Sequence, residues 1–310
     1  MSWRQILRHL DLVGNLALIP SLTSLFVALS WAGVRYPWSD ARTIILFIVF
    51  VALLAVFALT QYRGQEKATL PPRILKNRNV IAGFIFVACT NGAEAVLEYY
   101  MPTFFQAVRG YSPAQSGYMM LPILVGFLVA LLIQGGGTTM LGYYTPFMVA
   151  ASVLMPIAAG LVTTWKVDTS LVKVLVLSGF AGFSSGIGFQ GPQSAVQTTL
   201  PDADATTGLA IILFAQGFGP AIFLSVAQTI FTNRLSANLH HLAPDLDAVS
   251  IEDMGLSDLK TSLGQGNLEK VVLGFDQSLS QTWYLAVGST CVTMIGSLLM
   301  DWRSVKEKKM

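Results

Sequence analysis

Charge is what this chain is short of: between Arg109 and Lys166 lie 56 consecutive residues without an Asp, Glu, Lys or Arg. Over all 310 residues the charged types make up 12% and the hydrophobic types 53%. A soluble domain of this size needs roughly a quarter of its residues charged to cover its surface, so a water-soluble globular protein is excluded. Cysteine and histidine are scarce too. Cys89 and Cys291 lie in different apolar runs without metal-ligand spacing and read as packing residues. His9 is near-terminal, and the adjacent His240 and His241 read as solvated loop residues, with metal binding the alternative. No N-x-[ST] acceptor occurs. Also missing are GxxxxGK[ST], HExxH, GxSxG and any His, Cys and carboxylate cluster at ligand spacing. The expectation is therefore no enzyme, no metal, no cofactor, no nucleic-acid partner and no transport driven by ATP.

What fills the chain instead is apolar sequence in segments near 12–34, 43–61, 79–100, 115–134, 144–164, 171–190, 206–231 and 281–300. Crossing a hydrocarbon core of about 30 Å takes roughly 20 helical residues, and none of these segments shows the period-two alternation of a membrane barrel strand. They predict an all-α integral membrane protein of about eight transmembrane helices, with membrane lipid as partner. The first segment is too long for a signal-peptide core of about 7–15 residues, so it reads as an uncleaved span.

Eight spans put both termini on one side. Eleven of the nineteen Lys and Arg fall on that side, at Arg4, Arg8, Arg63, Lys67, Arg73, Lys76, Arg78, Arg303, Lys306, Lys308 and Lys309. The positive-inside rule then predicts cytoplasmic termini. The sizeable hydrophilic segment, 233–280, is expected to be an extracellular loop. Its Leu235, Leu239 and Leu242, and later Leu256, Leu259 and Leu263, recur at helical spacing and predict short amphipathic helices.

Polar groups inside spans are where function concentrates, because a mid-bilayer charge costs about 2.5–3.5 kcal/mol on insertion scales. Lys173 starts the sixth span and can snorkel. Glu94 and Glu98 stand four residues apart in the third, with Asn91 before them, so they share a helix face. Two carboxylates so close in a low dielectric do not both ionise cheaply, and the pair could take up and release a proton. The plainer alternative is that Glu98, beside Tyr99 and Tyr100, is hydrated at headgroup level. Gln190, Gln193 and Gln197 lie at helical spacing around Gly191 and Pro192, and Gln216 and Gln228 lie in the seventh span. Uncharged amides suit a binding wall and suit interhelical hydrogen bonds equally well. Asp202 and Asp204 precede the uncharged run of the seventh span, so either could cap its N-terminus.

Small residues mark expected close helix contacts or hinges: Ser178, Gly179, Gly182 and Gly186 in the sixth span, Gly217 and Gly219 with Pro220 in the seventh. Gly135, Gly136, Gly137 and Gly142 are expected to form the turn between the fourth and fifth.

Several strings carry a family resemblance. The most specific is Tyr99-Tyr100-Met101-Pro102-Thr103-Phe104-Phe105-Gln106-Ala107-Val108-Arg109-Gly110-Tyr111-Ser112-Pro113, followed by Ser116-Gly117 and Leu121-Pro122. Leu10-Asp11-Leu12-Val13-Gly14, Tyr36-Pro37-Trp38-Ser39, Pro71-Pro72-Arg73-Ile74-Leu75-Lys76-Asn77-Arg78, Gly142-Tyr143-Tyr144-Thr145-Pro146-Phe147, Phe189-Gln190-Gly191-Pro192 and Ile230-Phe231-Thr232-Asn233-Arg234-Leu235 occur in the expected order. Together they resemble the major facilitator superfamily, specifically its fungal fourteen-helix drug:proton antiporter branch, C-terminal portion. The resemblance implies a cytoplasmic segment over 1–11, two linker helices over 12–61, a basic cytoplasmic loop over 62–78, a six-helix bundle over 79–232 and 281–300, and a cytoplasmic tail over 301–310.

The same resemblance implies proton-coupled efflux of a small hydrophobic drug, toxin or secondary metabolite, across the cell membrane or, alternatively, a vacuolar or vesicle membrane. The candidate proton and substrate cavity is Asn91, Glu94, Glu98, Gln190, Gln193 and Gln216. The family's N-terminal six-helix half and its motifs have no counterpart in this sequence, and the loop 137–142 lacks the basic residue expected there. The alternative expectation is a half-transporter inactive alone, with an N-terminal half or a second copy of itself as partner.

Overall fold

A computed structural model describes residues 11–33, 35–64, 70–243 and 265–306. The named elements among them are all helices. They are α1 (Leu12–Trp31), α2 (Ala41–Gly64), α3 (Pro72–Leu75), α4 (Arg78–Thr103), α5 (Pro113–Met119), α6 (Leu121–Leu141), α7 (Thr145–Val162), α8 (Leu171–Gly186), α9 (Gly191–Thr199), α10 (Asp202–Leu242) and α11 (Gln265–Leu299). Eight helical stretches are long and apolar enough to cross a membrane, with α5–α6 and α8–α9 each forming one. In hydrocarbon every backbone N–H and C=O must be satisfied within the protein, which selects helices for sequence of this composition.

α4 is the central helix, packed against α10 on one side and α11 on another, with α7 reaching α11 and α8 behind α6. Its role follows from its residues: Gly83, Ala82, Ala88, Gly92 and Ala93 let neighbours approach closely. A Cβ on Gly219 of α10 would land on the Ala88 carbonyl oxygen. The α6–α8 seam is closer still. A Cβ on Gly182 would strike the Ile123 carbonyl oxygen, and one on Gly126 would strike the Gly179 carbonyl oxygen. Gly186 sits against Phe127 and Gly179 against Pro122, whereas a Cβ on Gly217 would meet nothing within 4 Å. Close packing therefore requires glycine at 182 and 219 but not at 217.

Several boundaries differ from the sequence expectation, each for a physical reason. Gly135, Gly136 and Gly137 belong to α6 rather than to a turn; Gly137 faces the Phe147 ring of α7. The turn itself is made by Gly142 alone, at φ 84°, whose N–H caps the helix on the Thr138 carbonyl at 2.9 Å. Neither Asp202 nor Asp204 caps α10. Pro201 occupies that position, and Asp204 instead makes a bidentate pair with Arg73 of α3 at 2.6 and 2.9 Å. Cys89 is buried, but Cys291 is exposed on α11 and is not a packing residue.

At the long connection the helical spacing expected of Leu235, Leu239 and Leu242 is present, but as an extension of α10 through Leu242 rather than a separate short helix, and helix resumes at Gln265. Leu235 and Leu239 are buried with Val271, Phe275 and Leu279, one apolar stripe on each of two otherwise polar helices. Leu256, Leu259 and Leu263 lie outside the described residues.

At the same end α4 runs into a π-helical turn, Phe104–Val108, in an aromatic plug with Trp165 and Trp283. Arg109 donates to the Thr169 carbonyl there, and Lys166 lies 3.8 Å from buried Asp276. At the opposite end, the face bearing Asp11 and Lys306, Asn79 and Asp301 exchange two hydrogen bonds of 2.8 and 2.9 Å. The Tyr144 hydroxyl donates to the Asp301 carbonyl at 2.9 Å. Burial, with the Asp301 carboxylate adding to it, pushes the Tyr144 phenol up to about 12, so it stays a donor.

α1 and α2 form a separate hairpin joined by Ser21 Oγ donating to the Phe50 carbonyl at 3.0 Å. Asp11 caps α1 and accepts from Gln61 at 2.5 Å, and Gln61 accepts from Leu70 N–H at 2.9 Å. The hairpin touches the bundle at α10, where Thr229 Oγ1 lies 3.2 Å from the Ala32 carbonyl.

Candidate functional site

The candidate cavity residues fall in two places. Glu94 projects from the middle of α4 toward α8, where Ser185 Oγ lies 3.0 Å from its Oε1 and equally 3.0 Å from the Gly182 carbonyl. Around this pair is a small cavity walled by Leu97, Ile123, Met155, Ala181 and Thr290. It has space for about one water. Glu94 is the one charged group lining it. Gly182 and Gly186 hold α8 tight against α6 on the flank of this site. A carboxyl with one hydroxyl partner and room for one water has what a proton-holding site needs chemically.

Glu98, one turn further along α4, is exposed beside exposed Tyr99 and does not line that cavity. Asn91, one turn before, is half-buried.

Gln190 lies elsewhere. It sits in the break between α8 and α9, its backbone N–H donating to Gln134 Oε1 at 3.0 Å. Nearby contacts give the depth: Gly188 meets Phe86 and Gly83 meets Pro192. Gln190 therefore lies roughly 13 Å along α4 from Glu94 at helical rise. Its side chain opens into a pocket of about 360 Å³ lined by Thr138, Thr139, Ser194, Gln197 and Thr198, none of them charged. Gln193 and Gln216 are half-buried and line neither cavity.

Two residues of this region escape a reading of sequence. Ser185 is one of several small residues in α8 and carries only a packing signal until Glu94 is seen opposite. Buried Gln134 precedes the glycines that mimic a turn, which hid its position in mid-helix.

A family model described as the Major Facilitator Superfamily matches residues 10–224. The chain belongs to that superfamily. Among major facilitator relatives, it is 38% identical over 307 residues to the MFS-type transporter astH of Aspergillus oryzae, covering 99% of this chain and 54% of that one. It is 37% identical to the efflux pump roqT of Penicillium rubens, covering 99% and 57%. The chain thus spans about half the length of the curated relatives it matches. A bacterial homologue of the human lysosomal transporter Spinster, solved inward-facing and occupied, superposes with TM-score 0.56 at 11% identity over 93% of this chain and 65% of that one. That likeness shows the fold. The protein is a multi-pass membrane protein of the major facilitator type.

Proposed function

We propose that this chain is the C-terminal portion of a proton-coupled efflux transporter for small hydrophobic organic compounds, such as a drug, toxin or secondary metabolite. The observation that carries this reading is Glu94, a carboxyl in mid-span with a hydroxyl partner and one-water space, in a chain whose relatives are named as efflux pumps. The proton gradient supplies the energy, and Glu94 carries the proton, with Glu98 between it and the α10–α11 end. The uncharged pocket at Gln190 receives substrate from the other end, and Asn91, Gln193 and Gln216 lie on the route. Both termini face the cytoplasm, and the protein resides in the cell membrane rather than a vacuolar or vesicle membrane.

A second reading has its own observation. The chain spans 54% and 57% of its relatives, and alternating access in this superfamily uses two bundles rocking about a midplane site. On that reading the chain moves substrate only together with an N-terminal half or a second copy.

The test is export of a hydrophobic dye from pump-deficient cells expressing the chain alone or with an N-terminal half built from a relative. Export that collapses with a protonophore supports efflux, and its dependence on the added half selects the second reading. Glu94→Gln should remove the proton dependence; export with an unaltered pH profile in that variant removes Glu94 from the mechanism.

A further inference from the structure

At the α10–α11 end of the bundle, a surface groove of about 760 Å³ runs between these two helices. Its polar lining is Thr229, Asn233, Arg234, Gln281 and Tyr284, and its apolar walls include Ile230 and Leu285. Three observations bear on what it takes.

The first is depth. Buried Tyr100 and Phe231 pack with their rings tilted and centroids 5.0 Å apart, and Tyr99 is exposed beside them. Thr229 meets the turn that carries Trp31, Tyr36 and Trp38. Exposed aromatic side chains at one level mark the membrane–water boundary. Arg234 lies one turn beyond Phe231, about 5 Å further out at helical rise, which is the level of lipid headgroups. The second is charge. Arg234 is exposed, no carboxylate lines the groove, and among the described residues none pairs with it. A guanidinium flanked by an amide is suited to a phosphate oxygen. The third is an acceptor. Gln281 lines the groove, but its Oε1 is turned away from solvent without a hydrogen-bond partner, so a ligand that brings a donor gains a bond once that side chain turns outward.

We propose that this groove binds one phospholipid whose headgroup carries its own donor, a glycerol or an ethanolamine. The phosphate lies on Arg234 and Asn233, the Gln281 side chain turns outward so that its Oε1 accepts from the headgroup donor, and the first acyl methylenes lie along Ile230 and Leu285. The lipid thereby staples the membrane-exit ends of α10 and α11. This inference rests on membrane embedding and not on transport, so it stands or falls independently of the proposed function.

The experiment is native mass spectrometry of the full chain in detergent, titrated with phosphatidylglycerol, phosphatidylethanolamine or soluble glycerol 3-phosphate. The parent should retain one phospholipid, with affinity falling about tenfold in Arg234→Gln and less in Gln281→Leu. Lys173→Gln, which removes an exposed cation outside the groove, should leave retention unchanged. Circular dichroism confirms that each variant is folded. Equal retention in Arg234→Gln and the parent, or an equal loss in Lys173→Gln, overturns the site. Displacement of lipid by glycerol 3-phosphate at matching concentration overturns the lipid assignment in favour of a free phosphate ester.

Discussion

α2 and α4 both cross the bilayer, yet α2, the most apolar span among the described residues, is 11% buried over its hydrophobic centre, against 67% for α4. In a soluble protein the more apolar helix would be the interior one. Lipid removes that rule, because hydrocarbon solvates Leu and Ile as well as a protein core does. What draws a helix inside here is small size and polarity: α4 carries Gly83, Gly92, Asn79 and Glu94, while α2 presents Ile44, Ile48, Val51 and Leu59 outward. Hydropathy locates spans, and its shortfall locates the interior.

That contrast can be broken or sharpened by substitution, followed by unfolding in detergent with tryptophan fluorescence as readout. Gly182→Leu should have the largest effect, about 3 kcal/mol or loss of folding, because its side chain would enter the α6 backbone. Asp204→Ala comes next at about 1 kcal/mol. It removes two charge-assisted hydrogen bonds, weakened because the Arg73 side chain is 56% exposed. Ser185→Ala should cost about 0.6 kcal/mol, a typical interhelical hydrogen bond in a membrane, while shifting the pH profile of any export. Ile48→Ala on α2 should stay within about 0.5 kcal/mol. A destabilisation by Ile48→Ala matching that of Gly182→Leu would reverse the comparison.

The number and order of spans were legible because uncharged apolar runs of roughly 18 residues or more rarely occur outside a bilayer. The family was legible in the string from Tyr99 to Pro113 and in its ordered companions. Helix beyond the hydrocarbon was legible at Leu235, Leu239 and Leu242 from their spacing, but not at Phe275 and Leu279, which form only a narrow stripe that a hydropathy average dilutes. The site was half legible. Glu94 stood out by charge, but its separation from Gln190 depends on the break after Gly186 and on helix register, which spacing along one chain does not encode. Asp204 looked like a cap because Asp commonly is one, yet buried beside Arg73 it gains a charged partner that a cap would not supply.

α10 has 41 residues, roughly 60 Å of helix, about twice the thickness of the hydrocarbon it crosses. One end is fastened through Asp204 to α3, and the other extends beyond the aromatic belt alongside α11. Such a rod is a lever: a tilt of roughly ten degrees about Pro201 would carry Leu242 by about 10 Å. Because Gly219 lies against the Ala88 carbonyl at mid-length, the same tilt would carry that contact by about 5 Å, so the rod swings only if α4 and α11 move with it.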